Sequence, residues 1–188
     1  MKRIIYIALS IVALGNLVSC DNSVNVSKVP FDSNNDSLLT LGKTIAKQTF
    51  EVLASHLKHK LQNDGIPEAV NYCNITAYPL TDSISKANNV TIKRVAERYR
   101  NPQNKLTPED SVVFAGMKKN PTPLIHLNGK GNYTFYAPIK LKPMCVMCHG
   151  SKEQIAENYE VIQQLYPKDK ATGFVPDELR GMWSITFN

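Results

Sequence analysis

No dense block of Lys or Arg occurs anywhere in the 188 residues, so the electrostatic footprint of a nucleic-acid binder is missing. No segment repeats, and no break in composition divides the chain into two domains. No stretch reads as a kinase, a cyclase or a DNA-binding unit, so any signal must pass to a separate partner. Cysteine is sparse at four residues, and only one Cys-x-x-Cys pair is present. A zinc site would want a further ligand and usually a second pair. The single conspicuous apolar stretch, Ile4 to Val18, is interrupted by Ser10, Gly15 and Asn16. As a helix it would rise about 22 Å, short of the roughly 30 Å of a bilayer core.

What is there begins with that stretch. Lys2 and Arg3 precede it, and Leu17-Val18-Ser19-Cys20 follows. A basic start and a short apolar run predict an export signal over residues 1–19. The ending looks like a bacterial lipobox, which would leave Cys20 as a lipidated first residue, tethered by buried acyl chains. An ordinary signal peptide with a chance cysteine is the plainer alternative. Residues 20–36 are rich in Asn, Ser and Asp and read as a flexible tether. The expected location is therefore the bacterial cell envelope, periplasmic side or surface. The membrane is the expected partner through Cys20. Without Lys2 and Arg3, 20 basic residues face 16 acidic ones, a mildly basic surface that suits anionic membranes or acidic redox partners.

Residues 37–188 are the size of one domain. Leu38, Leu41, Ile45, Val52 and Leu61 recur at helical spacing, and Asn63-Asp64-Gly65 is a stop. A second helix should start near Pro67 and be kinked or divided at Pro79. Val90 to Tyr99 reads as a strand, Pro108 to Lys118 as a helix, and Pro123 to Asn128 with Tyr133 to Leu141 as a hairpin. A helix is expected over Ser151 to Tyr166 and a last strand over Arg180 to Phe187. Hairpins outnumber crossovers, which predicts an α+β fold with an antiparallel sheet flanked by helices.

Cys145-Val146-Met147-Cys148-His149 carries the chemistry. Cys-x-x-Cys-His is the attachment signature of haem c. One turn of backbone brings two thiols to the two vinyl groups, and the adjacent imidazole becomes the proximal iron ligand. A thioredoxin-like redox pair is the competing reading, and it wants an α/β fold of different order.

Cys73 is left alone once Cys20, Cys145 and Cys148 are assigned. It shares a helix face with Val70, Ala77, Leu80 and Ile84, so it should point inward. It is either an inert core cysteine or a thiolate on the far side of the iron. Other distal candidates are His56, His59, His126, Met144, Met147 and Met182. Arg98 and Arg100 suit propionates by their forked geometry, or are plain solvated arginines. Tyr136 packs at the porphyrin or in the core.

Six segments together resemble a known family: Ala69-Val70-Asn71-Tyr72-Cys73, Arg98 to Asn104, Tyr136-Ala137-Pro138-Ile139, Cys145 to Gly150, Asp169 to Gly173, and Arg180-Gly181. The family is that of single-haem c-type domains with a PAS-like fold, long catalogued as a domain of unknown function. The resemblance runs from about Leu38 to Phe187. It implies a central antiparallel sheet with flanking helices. It also implies a cysteine on the early helix as second axial ligand, a position that Cys73 matches. Tyr72, Asn74 and Pro79 depart from the pattern beside it.

His149 with a thiolate from Cys73 would favour ferric iron and a low potential. A six-coordinate iron has no free site for substrate, which argues against an enzyme. The expected function is a membrane-tethered redox or gas sensor, or an accessory redox module, acting on a redox or signalling protein. The alternatives are a mono-haem electron carrier and, behind it, a small peroxidase.

Overall fold

The computed structural model describes residues 33–188. The expected signal peptide, Cys20 and most of the expected tether lie outside the described residues. Helix α1 (Ser33–Asn63) starts earlier than the spacing of its leucines indicates. Asp36 in its first turn complements the positive end of the helix dipole, and the helix takes the last four residues of the expected tether. Gly65 ends the turn that follows at φ +79, a conformation open to glycine.

Helix α2 (Gly65–Ile75) and helix α3 (Ala77–Ala87) are separate. The break falls at Thr76 rather than at Pro79. Pro79 is the third residue of α3, where a first-turn N–H has no intrahelical acceptor and its loss costs nothing. Strand β1 (Val90–Val95) ends earlier than expected. Beyond it, Ala96 donates its N–H to Asn104, so a loop replaces the last part of the strand. Helix α4 (Pro108–Lys119) is framed by a reciprocal capping box between Thr107 and Asp110. Strands β2 (Leu124–Leu127) and β3 (Tyr133–Lys140) form the expected hairpin. The Asn128 side chain accepts from Lys130 and Asn132 in its turn, and Gly131 supplies φ +83.

The expected helix over Ser151 to Tyr166 starts later, and the motif before it forms short elements of its own. A 3-10 turn at Pro143–Cys145 leads into one turn of helix, α5 (Val146–His149). Gly150, at ψ −167, takes the chain out of helix before α6 (Ala156–Leu165). Strand β4 (Leu179–Phe187) closes the fold.

The sheet order is β1-β4-β3-β2, and every pair is antiparallel. Both faces are covered, so β3 and β4 are buried on consecutive residues rather than alternating ones. On one face Ile45, Ile84, Ile92, Phe135, Trp183 and Ile185 pack between the sheet and helices α1 and α3. On the other, Val113, Phe114 and Met117 of α4 meet Val95, Tyr136 and Met182. Gly42 lets α1 lie directly on the Phe135 ring, where a Cβ would overlap it. Among the described residues no helix is long and apolar enough to cross a membrane. The α+β architecture, with a flanked antiparallel sheet, is the one expected.

Candidate functional site

Beside the C-terminal half of α1 the sheet face opens into a cleft. It comprises two adjoining cavities of about 220 and 180 Å3, and both are lined by Cys73, Cys145 and His149. Phe50, Leu53 and Leu57 of α1 and Trp183 of β4 supply apolar walls. Cys73 comes from α2, and Cys148 joins it in the smaller cavity.

The two motif thiols are held by different packing clusters. Cys145 sits against Leu141, Ala171 and Phe174. Cys148 sits against Val70, Ile162 and Tyr166. Burial pushes both the Cys148 and Cys73 thiols above their usual range, and the positive field of Arg100 works against that shift at each.

His149 is oriented by a segment more than twenty residues away. Its Nδ1 lies 2.7 Å from the Ala171 carbonyl. A carbonyl can only accept, so Nδ1 carries the hydrogen and Nε2 keeps a free lone pair. Burial, aided by the charges of Arg100 and Arg180, holds the imidazole well below its usual range and therefore neutral. A neutral imidazole with its other nitrogen fixed by a carbonyl is a prepared metal ligand.

The 169–174 loop wraps the motif. Gly173 N–H donates to Gly150 O at 2.6 Å, and Phe174 N–H to His149 O at 2.9 Å. Arg100 locks the loop from the other side. Its Nε donates to Asp169 Oδ1 at 3.3 Å and its Nη2 to Cys148 O at 2.5 Å. Asp169 Oδ2 is 3.2 Å from Nη2, an ion pair without hydrogen-bond alignment. Gly150 has no room for a side chain, since a Cβ would come within 2.7 Å of Val146 O.

Not every residue singled out from the sequence reaches the cleft. Arg98 is spent on the loop. It pairs with Glu178 at 2.6 Å and stacks on the Phe174 ring at 3.5 Å. Tyr136 lies across the sheet, because it neighbours Ala137 and Phe135 in a pleat that sends them to opposite faces. Its hydroxyl donates to Asp110 at 3.0 Å, so its expected contact with a porphyrin is corrected to a core role beside α4. His126 pairs with Glu109 at 2.9 Å, and Met182 is fully buried with Met117. His56 and His59 are exposed on α1. Met144 does line both cavities.

Two cleft residues were given no role by the sequence. Arg94 and Arg180 line both cavities. Their signal lay in the pleat: Arg94 and Trp183 are cross-strand partners in adjacent strands. Arg180 donates to Arg98 O at 2.8 Å, and its buried Nε finds no partner.

Chemically, the cleft offers one imidazole, three thiols and the thioether of Met144. Among the described residues no three His, Cys, Asp or Glu side chains converge on a single ion. An all-antiparallel sheet has no βαβ unit, so the thioredoxin-like reading loses its context.

The family model described as Tll0287-like matches residues 33–188. The chain belongs to the Tll0287-like family. Its fold is similar to that in the crystal structure of the cyanobacterial haem protein Tll0287, with a TM-score of 0.65. That likeness covers 81% of this chain and 96% of the other at 24% identity. No curated protein sequence matches. The Tll0287-like match begins at Ser33, the first residue of α1, and thus spans the whole described fold.

Proposed function

We propose that this chain is an extracytoplasmic, lipid-anchored c-type haem protein serving as a redox or gas sensor or accessory redox module. The observation that carries the reading is one cleft lined by Cys145, Cys148, Cys73 and a pre-oriented His149. The likeness to a protein described as a haem protein supports it.

Cys145 and Cys148 would hold the porphyrin through thioethers, and His149 Nε2 would ligate its iron. Cys73, in the same cleft, would be the second residue to hold the iron. When bound, haem supplies a one-electron iron couple. The chain supplies the rest. Ala171 fixes the imidazole tautomer, Arg100 and the 169–174 loop hold the motif backbone, and Phe50, Leu53, Leu57 and Trp183 exclude water. If His149 and Cys73 both held the iron, the chain would leave substrate no open site, which would favour sensing or electron relay over catalysis. Cys20 would tether the domain to the membrane, with an unidentified redox or signalling protein as the second partner.

A pyridine haemochrome assay, with intact mass, tests the attachment. One covalent haem is expected, and colourless protein from a host competent in haem attachment refutes it. Cys73→Ala tests the second ligand. It should abolish any sulfur-to-iron charge-transfer band and speed carbon monoxide binding to the ferrous protein. An unchanged spectrum returns Cys73 to the cleft wall.

A further inference from the structure

The walls of the cleft are unbalanced in charge. Among the described residues, no Asp or Glu lines either cavity, while Arg94 and Arg180 line both. Arg100 has Asp169, and Arg98 has Glu178. Arg94 and Arg180 have no carboxylate partner among the described residues. The Arg180 Nε is buried and unbonded, although Nη1 is satisfied by Arg98 O. An unpartnered buried donor on a cation typically costs more than the roughly 1–3 kcal/mol of a neutral one.

Burial, followed by the charge of Arg100, pulls the Arg180 guanidinium below its usual range, to about 9. It remains charged at pH 7, so the unmet demand is for an anion. Gly181 follows it and brings β4 hard against β1, since a Cβ there would lie 2.7 Å from Val95 O. That contact fixes the backbone from which Arg180 reaches the cleft.

We propose that Arg180 and Arg94 form a carboxylate seat inside the cleft, filled by a propionate of the chain's own haem. The proposal rests on the haem reading above. A fork of N–H donors matches a carboxylate, and the low-dielectric wall strengthens the pairing. The seat differs from the sequence expectation, which gave this task to Arg98 and Arg100. Both of those guanidiniums are already committed to the loop around the motif.

A free oxyanion has the same recognition chemistry, so the test separates the two sources. Holoprotein is prepared as wild type, Arg180→Gln, Arg180→Lys, Arg94→Gln and the control Lys93→Gln. Lys93 is exposed on β1 and lines neither cavity. Resonance Raman spectra report the propionate-bending band, and redox titration reports the midpoint potential. Arg180→Gln and Arg94→Gln should each move the band to lower frequency and lower the potential, because a cation that disfavours ferric iron is gone. Arg180→Lys should recover part of the potential but not the band, since an ammonium is no fork. Lys93→Gln should change neither.

The wild type is also compared in phosphate and chloride at equal ionic strength, and no difference is expected. A phosphate-dependent shift that Arg180→Gln abolishes would make this a seat for a free oxyanion and overturn the propionate assignment. An unmoved band in both Gln variants, with haem retained, overturns the propionate assignment alone. Wild-type protein lacking covalent haem overturns the haem reading with it.

Discussion

A metal-binding histidine almost always has its other nitrogen held, and the Nδ1 of His149 is held by Ala171 O, contributed by a loop. The motif Cys145-Val146-Met147-Cys148-His149 was legible from residue types and spacing. The tautomer was not, because Ala171 is brought in by the fold. The same loop depends on one buried ion pair. The Arg100 side chain is 12% exposed and that of Asp169 only 2%. Asp169→Ala would leave the Arg100 cation buried without its partner, at a cost of about 3–5 kcal/mol. The urea midpoint should fall at unchanged m-value, and a change below about 1 kcal/mol would exclude the pair as a lock on the loop. Arg98 and Arg100 look alike in sequence. Only their partners, Glu178 on one and Asp169 on the other, separate a half-exposed clamp from a buried one.

Elements were easier to read where their ends carry their own chemistry. Thr107, Pro108 and Asp110 mark the start of α4, and Lys118 and Lys119 suit its negative end. Thr107→Ala should cost about 1 kcal/mol, measured by chemical unfolding. The absorption spectrum of the cleft should not change, because α4 packs on the opposite face of the sheet. A spectral shift would contradict that separation. Elsewhere the ends were misread. Pro79 suggested the division of α2 from α3, yet Pro is harmless in a first turn, and the chain breaks at Thr76 instead. Ser151 to Tyr166 has helical spacing throughout, but Gly150 and the turn after it postpone α6 to Ala156. Val90 to Tyr99 has strand composition throughout. Its last part yields to the 101–105 loop, which places Asn104 against Ala96 and leaves Tyr99 and Arg100 free to meet the 169–174 loop.

The whole molecule is one sheet doing different work on its two faces. One face carries α1, α3 and the cleft, and the other is sealed by α4. Helix α1 spans both the solid core and the cleft wall, so its height above the sheet sets the shape of the site. Gly42→Val tests this. Its side chain would collide with Phe135, and overpacking of this kind costs about 1–3 kcal/mol. Because Phe50, Leu53 and Leu57 ride on the same helix, the haem spectrum and the unfolding midpoint should shift together. A loss of stability with an untouched spectrum would show that α1 bends locally instead.

The sequence by itself determined the α+β class, most element cores and the Cys-x-x-Cys-His spacing from which haem attachment is proposed. These depend on residue type and on spacing along the chain. Tertiary structure alone decided that Tyr136 and His126 face away from Cys73, and that Arg180 rather than Arg98 lines the cleft. Which face a strand residue takes is relative until register and covering helices are in place, and a buried charge declares its need only when its neighbours are known.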